Sequence, residues 1–161
     1  MPAPEIVLRP AADDDRALLL RIYASTRERE LALVPWSDDQ KLAFVTQQFE
    51  AQDRHYRTAY ADGVSFDVVL VDGEPAGRLY VARMPGELRI VDVALLPEAR
   101  GDGVGTRLLQ RLLDAAAAEE RTVTIHVEPT NPARRLYERL GFELESEGDI
   151  YLFMRARPSG R

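Results

Sequence analysis

The stretch Arg100-Gly101-Asp102-Gly103-Val104-Gly105-Thr106 carries three glycines at alternate positions between two patterned segments. Upstream, Ile90 to Leu96 is an almost unbroken apolar run that reads as a strand. Downstream, Val104, Leu108, Leu109, Leu112, Leu113 and Ala116 repeat at helical spacing. Glycines remove side chains where a backbone must turn sharply and approach another group closely. The start of a helix leaves amide N–H groups unpaired and carries partial positive charge. Strand, glycine turn and helix start together make a site for a phosphate or pyrophosphate; the alternative is a turn that merely reverses the chain. Two common phosphate loops fail on the residues. The dinucleotide fingerprint needs a third glycine at position 106, which is Thr106. The nucleotide-hydrolase loop needs Lys followed by Ser or Thr, and Thr106-Arg107 is not that pair.

Working outward, Ile6 to Arg9 reads as a first strand stopped by Pro10. Asp13, Asp14 and Asp15 offer N-cap chemistry to a helix spaced by Leu18, Leu19, Ile22 and Tyr23, with a continuation or a bend at Arg27 to Leu31 left open. Ser37-Asp38-Asp39-Gln40 is a capping box for a second helix, which Asp62-Gly63 breaks. Ser65 to Val71 and Arg78 to Arg83 form a hairpin about Asp72-Gly73-Glu74-Pro75; Pro85-Gly86 turns the chain into a strand over Glu87 to Leu95. Thr122 to Val127 is β-rich. Pro132 suits the first turn of a fourth helix, and Gly141 its stop. Phe142 to Glu145 and Ile150 to Met154 read as a closing strand pair, followed by a frayed tail from about residue 157.

Two segments resemble the Gcn5-related N-acetyltransferase superfamily. Arg100, Gly103 and Gly105 fill its acetyl-CoA signature, Arg/Gln-x-x-Gly-x-Gly/Ala, and Leu95 to Ala99 resembles the hydrophobic-x-Pro-Glu approach to it. Asn131 to Phe142, with Leu136-Tyr137 and Gly141-Phe142, resembles the helix that forms its second hallmark. The resemblance covers about residues 5 to 155. It implies an α/β (α+β) fold, a mixed and mostly antiparallel sheet of six to seven strands with about four helices. It also implies acetyl-CoA as co-substrate, bound by the Gly101 to Thr106 amides (Gly101, Asp102, Gly103, Val104, Gly105, Thr106), by Arg100, and by the backbone of Val93, Ala94 and Leu95 where that strand parts from its neighbour.

Composition sets the bounds. A chain of 161 residues, 45% hydrophobic and 30% charged, fits one soluble domain with its own core over residues 1–161. The absence of cysteine removes disulfides, thiolate metal sites and a cysteine acyl-enzyme. His55 and His126 have no metal-ligand spacing, so no metal is expected. A net charge of −6 argues against nucleic acid and permits a cationic substrate. No apolar run approaches bilayer length, and Met1 to Glu5 lacks the look of an export signal, so no membrane partner and a cytoplasmic location are expected. A homodimer is compatible with the sequence.

The expected function is transfer of acetyl directly to a primary amine of a small molecule or peptide. The alternative is a non-catalytic acetyl-CoA-binding module serving regulation or assembly, and a nucleotide-binding protein comes third. Tyr137 is the candidate acid, since a phenol of pKa about 10 stays protonated at neutral pH; packing with Leu136 and Leu140 is the rival role. Asp92 and His126 interrupt apolar strands and are candidate bases; Glu128 is a third. Asn131 stands six residues before Tyr137, where the family has seven, so Thr130 takes the expected position. Asn131 therefore binds cofactor or only caps the helix. By the same resemblance, Trp36, Phe44, His55, Tyr56, Tyr60 and Tyr151 are candidate acceptor-lining residues.

Overall fold

The computed structural model describes residues 3–60 and 63–158. Its elements follow the order β1 (Ile6–Pro10), α1 (Arg16–Thr26), α2 (Glu28–Ala32), α3 (Asp38–Ala59), β2 (Val64–Val71), β3 (Glu74–Met84), β4 (Glu87–Leu95), α4 (Val104–Ala118), β5 (Thr122–Val127), α5 (Arg134–Arg139), β6 (Glu143–Glu147) and β7 (Leu152–Ala156). The strands form one sheet ordered β1-β2-β3-β4-β5-β7-β6. Every pairing is antiparallel except β4 with β5. That mixed, mostly antiparallel sheet is the expected one, with five α-helices rather than about four among the described residues.

The extra helix answers the open question at Arg27. There the backbone leaves helical geometry (φ −110°, ψ 0°), and α2 restarts at Glu28. The Ser37 capping box forms with both reciprocal bonds, Gln40 N–H to Ser37 Oγ at 3.2 Å and Ser37 N–H to Gln40 Oε1 at 2.9 Å. The hairpin turn holds Asp72 and Gly73 at φ 51° and 83°, the paired positive angles a two-residue turn needs.

Other expectations shift. Asp15 does not cap α1 with its side chain. It closes a 3-10 turn over Asp13–Asp15 instead, accepting from Ala12 N–H at 2.8 Å and from both Arg9 Nη atoms at 2.8 Å. Pro132 lies in the turn before α5, not inside its first turn, because Ala133 is the N-cap. The closing strands begin one and two residues later than expected, since Gly148 N–H bonds Tyr151 C=O across the hairpin at 2.8 Å and takes Ile150 and Tyr151 into the loop. The proposed break at Asp62 and the tail from Ser159 lie outside the described residues.

Two cores flank the sheet. On one face, Leu79, Val81, Leu88, Ile90, Val123, Ile125 and Val127 pack against Val104, Leu108, Leu109 and Ala116 of α4 and Tyr137 of α5. On the other, Val68, Ala94 and Leu96 pack against Leu19, Ile22 and Tyr23 of α1 and Val45 and Phe49 of α3. β4 therefore serves both faces. Leu88 and Ile90 point to α4, while Ala94 and Leu96 point to α1 and α3. A strand alternates sides with a period of two, so an even-numbered run can change face only through an inserted residue. The register supplies it: Val81 pairs Ile90 and Tyr80 pairs Asp92, leaving Val91 as a bulge.

Candidate active site

The bulge coincides with a parting of strands. β4 pairs with β5 only from Glu87↔Thr122 to Ile90↔Ile125, although β4 runs on to Leu95 and β5 to Val127. Beyond Ile90 the β5-side backbone groups of β4 have no ladder partner in β5. Backbone groups of this wedge without a ladder partner are open to a hydrogen-bonding partner from outside the sheet. Val93, Ala94 and Leu95 belong to this unpaired stretch of β4. Close packing of β3 against the wedge depends on Gly77, where a Cβ would collide with the Ala94 carbonyl oxygen.

Beyond the wedge, a 3-10 turn (Pro97–Ala99) leads into the glycine loop. Gly101 and Gly103 take φ 91° and 76°, the left-handed region that favours glycine. Gly103 is the N-cap of α4, and no side-chain acceptor reaches the first-turn amides of Val104, Gly105 and Thr106. Gly105 is helical. A Cβ there would meet only Leu95 at 3.6 Å and Leu136 at 3.8 Å, so its small size leaves space that the fold does not fill. Arg100, though exposed, ties the loop to the end of β4, its Nε donating to the Leu95 carbonyl at 2.9 Å.

Tyr137 projects from α5 and is 4% exposed. α5 is held at its end by a paired cap: Phe142 N–H to Tyr137 C=O (3.0 Å), Gly141 N–H to Glu138 C=O (3.1 Å), Gly141 at φ 100°. Burial, with a smaller contribution from the charge of Asp92, pushes the Tyr137 hydroxyl up to about 12. Asp92 itself is held: Arg78 Nη2 donates to its Oδ2 at 2.6 Å and Tyr56 Oη to the same oxygen at 3.2 Å. Arg78, 2% exposed, also donates to Gln52 at 2.9 Å. Burial, reinforced by Asp92, pushes the Tyr56 hydroxyl well above the ordinary tyrosine value.

His126 lies on the opposite side of β5 from Tyr137's core. It lines an open cleft of about 440 Å³ with Arg89, Ser146, Gly148, Asp149, Ile150, Tyr151 and Phe153. Partial burial and then the Arg89 guanidinium push its pKa below the ordinary histidine value, against an upward pull from Glu87. That shift favours the neutral, proton-accepting imidazole.

The remaining candidates scatter. Asn131 Oδ1 accepts from Ala133 N–H at 2.9 Å, a turn before α5. Trp36 and Phe44 pack on each other edge to face at 5.2 Å and line neither cleft. His55 is exposed on α3, and Tyr60 is half-buried at its end. Thr130 and Glu128 are exposed. A second groove of about 720 Å³ runs between Ala24, Leu31, Leu42 and Val45 of the first three helices and Leu96 to Glu98. Sequence reading passed over Gly77, Arg78 and Phe153. Arg78 carried a signal, being the one cation within the otherwise apolar run Ala76 to Ala82. Gly77 showed none, because its necessity arises from a strand distant in sequence.

The model of a family described as acetyltransferase (GNAT) family matches residues 20–142. Solved structures share the fold. The PaiA N-acetyltransferase of Thermoplasma acidophilum, solved in complex with coenzyme A, superposes at TM-score 0.71 and 14% identity, covering 95% of this chain and 99% of that one. A histone acetyltransferase and related acetyltransferase from Corynebacterium glutamicum gives 0.66 and 22%, with 99% of each chain covered. A spermidine N-acetyltransferase chimera from Vibrio cholerae gives 0.65 and 19%, with 96% of each.

Proposed function

The chain belongs to the acetyltransferase (GNAT) family, and from that premise we propose that it transfers acetyl from acetyl-CoA directly to a primary amine. The residues present fit that co-substrate. Val104, Gly105 and Thr106 offer open amides at a helix start, which suits a pyrophosphate. The wedge between β4 and β5 offers unpaired backbone to an amide-bearing arm. Gly105 leaves room between Leu95 and Leu136. That the PaiA enzyme was solved with coenzyme A supports the same reading.

The transfer forms an N–C bond and breaks the thioester C–S bond; the nitrogen loses a proton and the departing sulfur gains one. Tyr137 holds the proton for sulfur, because its raised pKa keeps the phenol protonated throughout the physiological range. His126 takes the proton from nitrogen, directly or through water, because its lowered pKa keeps the ring free to accept. Asp92 is another of the candidate bases. With Oδ2 engaged by both Arg78 and Tyr56, it serves better as a fixed negative charge beside the reaction than as a proton carrier. The acceptor enters over β5 and β7, where Tyr151 and His126 stand in the open cleft.

The parting of β4 from β5 above the glycine loop carries this reading. Release of free thiol from acetyl-CoA, followed with a panel of primary amines, tests it. Amine-dependent release is expected. Binding of acetyl-CoA without turnover of any amine would leave a binding module in place of an enzyme.

A further inference from the structure

Resting on that reading, the geometry points to the class of acceptor: a primary monoamine with a flat aromatic body. The cleft beside the wedge is an aromatic corner. The rings of His126 and Tyr151 stand 6.5 Å apart at 75°, and Phe153 lies against His126 at 4.7 Å. A third flat ring placed in such a corner meets one ring face on and the other edge on, the two arrangements aromatic pairs prefer. An aliphatic chain gains neither. The walls are left in water at a cost, Tyr151 46% and Ile150 66% exposed, with no helix of the described residues lining that cleft. A volume of about 440 Å³ falls in the range of small-molecule sites, roughly 300–1,000 Å³.

Charge selects the number of amines. The two guanidiniums over the Phe153 ring, Arg89 at 5.5 Å and Arg155 at 5.7 Å, are each paired, with Glu87 and Glu145 respectively. Those charges cancel. Among the described residues, Asp149 is the one carboxylate of the wall in no salt bridge. One uncancelled negative charge matches one positive charge on the acceptor, and no second carboxylate of the described residues lines the cleft to hold a polycation. Phe153 already packs against both guanidiniums, so the acceptor's ring lies on Tyr151 and its nitrogen beside His126, the group that takes its proton.

Phenethylamine, n-butylamine and spermidine are the probes. Each is titrated calorimetrically into protein saturated with CoA, and each is offered with acetyl-CoA while free thiol is followed. Phenethylamine is expected to bind at least tenfold more tightly than n-butylamine and to be acetylated with the highest kcat/KM. Tyr151→Leu, which keeps an apolar wall, should erase that preference while leaving acetyl-CoA affinity unchanged. Equal handling of phenethylamine and n-butylamine, preference for spermidine, or no binding of phenethylamine overturns the assignment. Any of these with amine-dependent thiol release would leave the acetyltransferase reading standing, whereas failure to bind acetyl-CoA would remove both.

Discussion

At single residues, the three loop glycines and Tyr137 separate fold from function. Gly103 sits at φ 76°, so Gly103→Ala strains the backbone by about 1–2 kcal/mol and should lower thermal stability as well as acetyl-CoA affinity. Gly105 is helical and a Cβ there would meet Leu95 and Leu136 only at ordinary contact distance, so Gly105→Ala should fold with undiminished stability and still lose acetyl-CoA affinity at least tenfold. Thermal melts beside calorimetry check the pair; unchanged affinity in Gly105→Ala would mean that no ligand approaches there. Tyr137→Phe preserves the packing on Phe142 (5.7 Å) and removes only the hydroxyl. Turnover should fall by ~10²–10⁴-fold with acetyl-CoA affinity intact; full retained turnover would return Tyr137 to a packing role. His126 has a pKa below its ordinary 6.5; if it is the proposed base it acts when neutral, and kcat/KM should be lost as pH falls through that lowered value. The acidic limb of the profile therefore lies below pH 6.5, and a limb above it would point to another base. Glycine spacing and the Leu136-Tyr137 pair were legible in sequence because both are local. The grip of Arg78 and Tyr56 on Asp92 was not, since it depends on a bulge that sets residues from β3, β4 and α3 together.

At the scale of elements, β4 is the piece on which the site depends, and its neighbours are fitted to it. Its bulge turns Asp92 toward Arg78, and its separation from β5 opens the wedge. Removing one partner of a buried ion pair strands the other: Arg78→Met should cost about 3–5 kcal/mol in urea unfolding. Adding Asp92→Asn should recover much of that loss, and no recovery would show that Arg78 stabilises through packing on Tyr80 rather than through charge. The β1–α1 junction carries its own pH signature. The Arg9 hydrogen bonds, helped by Ala12 N–H, hold Asp15 at about 2 against an ordinary 3.8. A depressed carboxylate contributes stability above its unfolded value and loses it as pH falls through the folded one. Asp15→Asn should thus be less stable than the parent at pH 7, the gap closing between pH 3.8 and about 2. A gap independent of pH would assign the effect to something other than ionisation. Most strand and helix positions followed from periodicity and turn chemistry. The closing hairpin and the entry to α5 shifted by a residue or two because hydrogen bonds at Gly148 and Asn131, not propensity, fix where they begin.

At the scale of the whole molecule, one sheet divides the labour. The α4 face carries the glycine loop and Tyr137, the opposite face carries Asp92, Tyr56 and His126, and the parted strands join the two. On the proposed reading, such an arrangement brings both substrates together before chemistry. With no cysteine in the chain, mass spectrometry after incubation with acetyl-CoA alone should find unmodified protein; a stoichiometric acetyl adduct chased off by amine would require a covalent step. The central claim is that the wedge and glycine loop form a coenzyme A site, and calorimetry against acetyl-CoA, CoA, ATP and NAD tests it most directly. Saturable one-to-one binding of acetyl-CoA and CoA, with none of ATP or NAD, is the predicted result. Binding of ATP or NAD with no detectable binding of acetyl-CoA would contradict it.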